Sequence, residues 1–106
     1  MPLHPIAQAI IDQLAAQPPL HSLTPNAARE HLRQFALAMP PGEPVAAVQD
    51  RLIAVNDAEI PIRIYTPAGT GPFPVAIYFH SGGWTIGDLD TDDSICRGIT
   101  NAGRCI

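Results

Sequence analysis

The stretch Val75-Ala76-Ile77-Tyr78-Phe79-His80-Ser81-Gly82-Gly83-Trp84 constrains the fold more than any other part of the chain. Its opening residues are mostly β-branched or aromatic, and a short apolar run of that kind predicts a strand buried on both faces, as in a parallel sheet. A tight loop should follow at the carboxyl end of the strand, where ligands bind in open α/β sheets. Consecutive glycines let the backbone turn sharply and leave its N–H groups uncovered by any Cβ. Such groups can hold a bound anion or a developing oxyanion.

With 106 residues the chain has room for one domain at most. Its 46% hydrophobic and 15% charged composition is that of a globular protein. A net charge of −4 supplies no basic footprint, so no nucleic-acid partner is expected. No apolar run approaches the ~20 residues of a membrane span. Gln8, Asp12 and Gln13 interrupt any apolar leader, so no signal peptide is expected. Cys96 and Cys105 form no C-x-x-C pair and are expected to be buried, reduced thiols, which makes the cytoplasm the expected compartment.

Taken in order, Ile6, Ile10 and Leu14 form one apolar stripe, predicting a helix from about Pro5 to Gln17 that Pro18-Pro19 stops. Thr24 as N-cap and Pro25 at the first helical position open a second helix. Ala28, Leu32, Phe35 and Met39 share its apolar face, with Arg29, Glu30, Arg33 and Gln34 on or beside the opposite one. Both helices read as core packing or as a mobile lid over a site. From Val45 the period becomes strand-like. Strands over 49–55 and 60–65 are joined by a short Asn56-Asp57 turn into an antiparallel hairpin, with Pro61 at an edge. After the central stretch, Asp90 or Thr91 should cap a third helix that buries Ile95, Ile99 and Ala102 and ends at Gly103 as the C′ residue. Arg104-Cys105-Ile106 begins what reads as a further strand.

Chemically, the Gly82-Gly83 turn is open to several readings. Two preorganised N–H groups can stabilise the oxyanion of acyl transfer, with His80 as a loop anchor and Trp84 as a pocket wall. A plain strand-end turn needs the same glycines for φ > 0 alone. A phosphate nest is disfavoured, because the loop carries no Lys or Arg and Asp88, Asp90, Asp92 and Asp93 would repel an anion. Those four acids read as capping and solvated groups, so no metal site is expected.

His80-Ser81-Gly82-Gly83-Trp84 resembles the His-Gly-Gly-Gly motif of the hormone-sensitive-lipase-like esterases in the α/β-hydrolase superfamily. The likeness extends to Thr85-Ile86-Gly87-Asp88-Leu89-Asp90-Thr91, Cys96-Arg97, the strand over 75–79 and Ile62-Arg63-Ile64-Tyr65-Thr66-Pro67. The two amino-terminal helices look like the family's cap region. The resemblance implies an α/β fold: the amino-terminal part of an α/β-hydrolase, with a helical cap region over 1–44 and an incomplete core over 45–106. It implies two cap helices, a leading β-hairpin, the oxyanion-loop strand, one helix and a strand stub. The activity it implies is hydrolysis of small-molecule carboxylic esters through a Ser acyl-enzyme, without metal or cofactor.

Carried over by position, the family's oxyanion donors fall on Gly82 and Gly83, with His80 anchoring the loop and Trp84 and Ser81 against substrate. Ser81 stands where the family usually has glycine, which is harmless at φ < 0 and strained at φ > 0. No G-x-S-x-G elbow occurs in the chain, and no partner residues of a triad are identifiable. The chain is therefore expected to lack turnover by itself. The competing expectation is an inactive truncated product or an interaction module. Strand edges left unpaired in such a piece also leave homo-oligomerisation open.

Overall fold

The computed structural model describes residues 3–106. Helix α1 (Pro5–Ala15) opens with Pro5 in its first turn and His4 as N-cap, whose Nδ1 accepts from Ile6 N at 3.3 Å. It ends before Gln17 because Pro18 disfavours helical backbone in the residue ahead of it. A 3₁₀ turn (Leu20–Ser22) leads to α2 (Pro25–Ala38), capped as expected by Thr24 Oγ1, which accepts from Ala27 N at 3.3 Å.

Strands β1 (Ala47–Val55) and β2 (Ala58–Thr66) pair antiparallel from Ala47↔Thr66 to Val55↔Ala58. A two-residue turn joins them, with Asn56 at φ 52°, a backbone region that Asn tolerates better than most residues. Pro61 lies opposite Leu52; in a two-stranded sheet both strands are edges, so its missing N–H is tolerated. The segment at 75–79 departs from expectation. It forms no regular strand, and Val75, Ile77 and Phe79 are 72%, 78% and 87% exposed. Its sheet hydrogen bonds come from the last residue: Ile106 N donates to Pro74 O (2.9 Å), and Ala76 N donates to Ile106 O (2.8 Å). That is the bond pattern of a parallel pair in a β-α-β order, but the strand expected from Arg104 is not formed: Arg104 sits in the helix-ending turn and Ile106 alone makes the pairing. One paired residue is too little to cover either face.

Helix α3 (Asp93–Gly103) also corrects the sequence reading. Its N-cap is Asp92, without a side-chain capping bond, in place of Asp90 or Thr91. Arg104, at φ 46° and ψ 47°, takes the left-handed position expected of Gly103. Cys105 N then donates to Thr100 O at 3.2 Å. The stripe of Ile95, Ile99 and Ala102 stays exposed, while Asp92 and Thr100 are buried. The reason is that β2 presents Arg63 and Tyr65 to the helix, and these draw in its polar side. Helix α2 behaves alike: of its apolar stripe only Ala28 is buried, Leu32 is half-buried, and Phe35 and Met39 are exposed. Cys105 is buried and Cys96 half-buried, both as free thiols.

The elements are joined by a polar node. Arg63 grips Asp50 with two nitrogens (2.6 and 3.0 Å) and reaches Asp90 Oδ1 (3.0 Å), Asp93 Oδ1 (3.2 Å) and Leu89 O (3.2 Å) with a third. Tyr65 OH donates to the same Asp93 oxygen at 2.8 Å, and Arg97 Nε donates to the other at 2.6 Å. Tyr78 OH donates to Asp92 Oδ1 at 2.9 Å, tying the 75–79 segment to the helix start. The acids read as capping and solvated groups thus each have a side-chain donor. Burial and the bond to Asp93 push the Tyr65 hydroxyl well above its ordinary range.

Removing Arg63 leaves Asp93 half-buried beside one fewer cation. Arg63→Met is expected to destabilise the fold by about 2 kcal/mol, read as a lower urea midpoint at unchanged slope. Acid should act on the same node. Burial alone would raise the Asp93 carboxyl, but the bonds from Arg97 and Tyr65 outweigh it and hold it below the ordinary 3.8. A carboxyl depressed in the native state stabilises it fully above its unfolded value and loses that contribution as pH falls through the native one. The urea midpoint is therefore expected to stay level from neutrality to about pH 5 and to fall below about pH 4, and a fall already complete at pH 5 would contradict the assignment.

Candidate functional site

The loop after the 75–79 segment is shaped by backbone bonds that converge on one carbonyl. Thr85 N and Ile86 N both donate to Gly82 O at 3.1 Å, and Thr85 Oγ1 donates to Gly83 O at 3.3 Å. Gly82 adopts φ 127°, and a Cβ there would lie 1.9 Å from Ile86 O, so the turn closes only over a glycine. Gly83 adopts φ 58° with nothing within 4 Å of its missing Cβ. Its surface is open to an incoming molecule. Among the described residues, no protein acceptor takes a bond from the N–H of Gly82, Gly83 or Trp84. Three successive donors are thus left uncommitted.

His80 is exposed, and its Nδ1 lies 2.8 Å from Ser81 O, a contact that requires the proton on Nδ1. The loop folds back on this ring: a methyl on Gly87 would meet His80 Nδ1 at 2.9 Å and Ser81 O at 2.6 Å. Ser81 is absent from the non-glycine residues at positive φ, so its replacement of a glycine carries no backbone strain. The strained position is Trp84 instead, at φ 58° with a fully exposed side chain. Left-handed backbone at a bulky residue costs roughly 1–2 kcal/mol. Nothing in the residue pattern marked Trp84 as the position of left-handed backbone.

Two residues that sequence reasoning set on or beside the opposite face of α2 belong to this site. Arg29 Nε donates to Thr85 O at 2.6 Å, and Arg33 Nε donates to Asp88 Oδ2 at 3.1 Å, with a second guanidinium nitrogen on the same oxygen. Asp88 in turn accepts from Asp90 N and Thr91 N at 3.0 Å each, and its own N–H donates to Thr91 Oγ1 at 2.9 Å. Burial raises the Asp88 carboxyl, yet the bonds from Arg33, Thr91 and Asp90 bring it below the ordinary value. The i, i+4 spacing of Arg29 and Arg33 was the available signal, since such residues share a helix face. A groove lined by Asn26, Arg29, Glu30, Arg33, Gly87 and Asp88 marks where α2 meets the loop. Gly82 and Gly83 lie outside it.

These features have counterparts in known proteins. No family model matches the chain. Carboxylic ester hydrolase LipN of Mycobacterium tuberculosis is 45% identical over 71 residues, covering 67% of this chain and 19% of LipN. An arylesterase of Saccharolobus solfataricus is 32% identical over 77 residues, covering 73% of this chain and 25% of its own length. Among solved structures, an ester hydrolase from the Lake Arreo metagenome superposes with a TM-score of 0.84 at 30% identity, covering 98% of this chain and 36% of that one. An esterase from Pyrobaculum calidifontis gives 0.82 at 30% identity, covering 99% and 34%. The fold is that of the α/β-hydrolase esterases. Within them, the chain's relatives are hormone-sensitive-lipase-like carboxylesterases, which it matches as an amino-terminal fragment. It spans about a fifth to a quarter of the length of these curated relatives.

The two motif glycines are expected to differ when substituted. Gly83→Ala adds only left-handed strain, about 1 kcal/mol, because its surroundings are open. Gly82→Ala must displace the Ile86 carbonyl and is expected to cost at least twice as much, both read as losses in urea stability. Equal costs would mean that the turn does not close as described.

Proposed function

We propose that this chain is the oxyanion-stabilising part of a carboxylic-ester hydrolase that works through a serine acyl-enzyme. The observation that carries the reading is the Gly82–Gly83 turn, whose N–H groups are uncommitted at the end of an extended segment and whose Gly83 is open to an incoming molecule. Attack on an ester carbonyl places negative charge on its oxygen, and each fixed donor contributes roughly 3 kcal/mol to stabilising it. Gly82 and Gly83 donate to that oxygen. His80 anchors the loop through Ser81 O, and Ser81 and Trp84 border the bound ester. Residues 1–44 act as a helical cap region and residues 45–106 as the leading part of the hydrolase core. The free thiols of Cys96 and Cys105 suit a reducing compartment such as the cytoplasm.

The chain contains no G-x-S-x-G elbow, so the nucleophile must come from residues outside these 106. Two preparations test this: the 106-residue chain, and the chain fused to the carboxyl-terminal part of LipN from the point where their similarity ends. With a p-nitrophenyl short-chain ester, the chain alone is expected to show no turnover. The fusion is expected to turn over and to lose at least about a hundredfold in kcat with Gly82→Pro. Turnover by the chain alone, or a cooperatively folded fusion without activity, would refute the proposal.

A further inference from the structure

We infer that Arg29 is a positioning residue for the Gly82–Gly83 donors, and that α2 thereby serves as a splint for the loop. This rests on reading those glycines as an oxyanion hole. Among the described residues, the turn over 82–86 is held from inside by the two bonds to Gly82 O and the hydroxyl bond to Gly83 O. Its far end runs straight into Gly87, at φ 88°, a residue that adds no stiffness. Arg29 closes this weak side from another element. Its Nε donates to Thr85 O at 2.6 Å, while its Nη1 donates to Asn26 Oδ1 at 3.0 Å, so the guanidinium is fixed at both ends.

One helical turn on, Arg33 holds Asp88, whose carboxylate and N–H organise the next turn through Asp90 and Thr91. The two arginines therefore bracket the loop at Thr85 and Asp88, on either side of Gly87. A charged donor on a carbonyl makes a stronger bond than a neutral one, and it keeps the Thr85 peptide plane from rotating. That plane carries the Ile86 N–H, one of the two that donate to Gly82 O, and adjoins the plane that carries the other, Thr85 N–H. Small errors in such geometry are costly, since catalysis requires the donors to be in place before charge develops. Helix α2 buries little apolar surface of its own, so this bracket is a principal reason for its position.

Arg29→Met preserves side-chain length and helix propensity while removing the donor. In the 106-residue chain, hydrogen–deuterium exchange by mass spectrometry should show several-fold faster uptake in the peptide containing Thr85 and Ile86. In the LipN fusion, the same change should lower kcat about tenfold with KM nearly unchanged, and Arg29→Lys should restore most of it. Arg51→Ala, whose guanidinium meets Gln49 Oε1 on the hairpin, is the control expected to change neither readout. Unchanged uptake in Arg29→Met would overturn the splint whatever the fusion does. Faster uptake with unaltered kcat in an active fusion would overturn the catalytic role of the bracing. A fusion inactive before any substitution would count against the ester-hydrolase reading, and the exchange arm would still decide whether Arg29 holds the turn.

Discussion

The Arg63 guanidinium is the point on which the arrangement of this chain depends. It sits on β2, grips Asp50 of β1, and reaches Asp90 and Asp93 at the start of α3. Both strands of the hairpin and the start of α3 are thereby held by one planar cation with several fixed donors. Tyr65 and Arg97 complete the shell around Asp93 from the two elements that meet there, and Arg97 also lies 5.8 Å from the centre of the Tyr65 ring. Few apolar side chains are buried among the described residues: Ala28, Tyr65 and Cys105. Ion pairs that would add little to a protein with a large core therefore decide here which faces meet.

The polar node also governs the loop. Asp88, Asp90, Asp92 and Asp93 meet partners on α2, β2, the 75–79 segment and within α3. The acidic run is a series of attachment points. Because Asp88 and Thr91 are joined to each other, the chain leaves the Gly82–Gly83 turn along a fixed path. The donors stay uncovered because the surrounding bonds use carbonyl oxygens, not their N–H groups.

The hairpin, the start of α1 at Pro5, the capped start of α2 and the glycine turn were legible in the residues because each depends on local chemistry. Pro25 after Thr24 and Asn56-Asp57 between alternating strands act within a few residues of themselves. Burial was less legible. Ile95 and Ile99 have helical periodicity but face outward, and the 75–79 segment has strand composition but pairs through Ala76 and Pro74 alone. Periodicity reports that a face is apolar; it cannot report what lies against that face.

The sequence by itself determined the three helices and the hairpin, the turn chemistry, and a glycine turn whose backbone leaves donors bare, all consequences of steric rules acting over a few residues. Tertiary structure alone decided that Ser81 is unstrained while Trp84 carries the left-handed backbone, and that Arg29 and Arg33 face the loop. It also decided that Arg63, not an apolar stripe, receives α3. The physical reason is range. Steric preferences and caps act between neighbours, whereas a guanidinium selects its carboxylates only after the chain has brought distant segments within hydrogen-bonding distance.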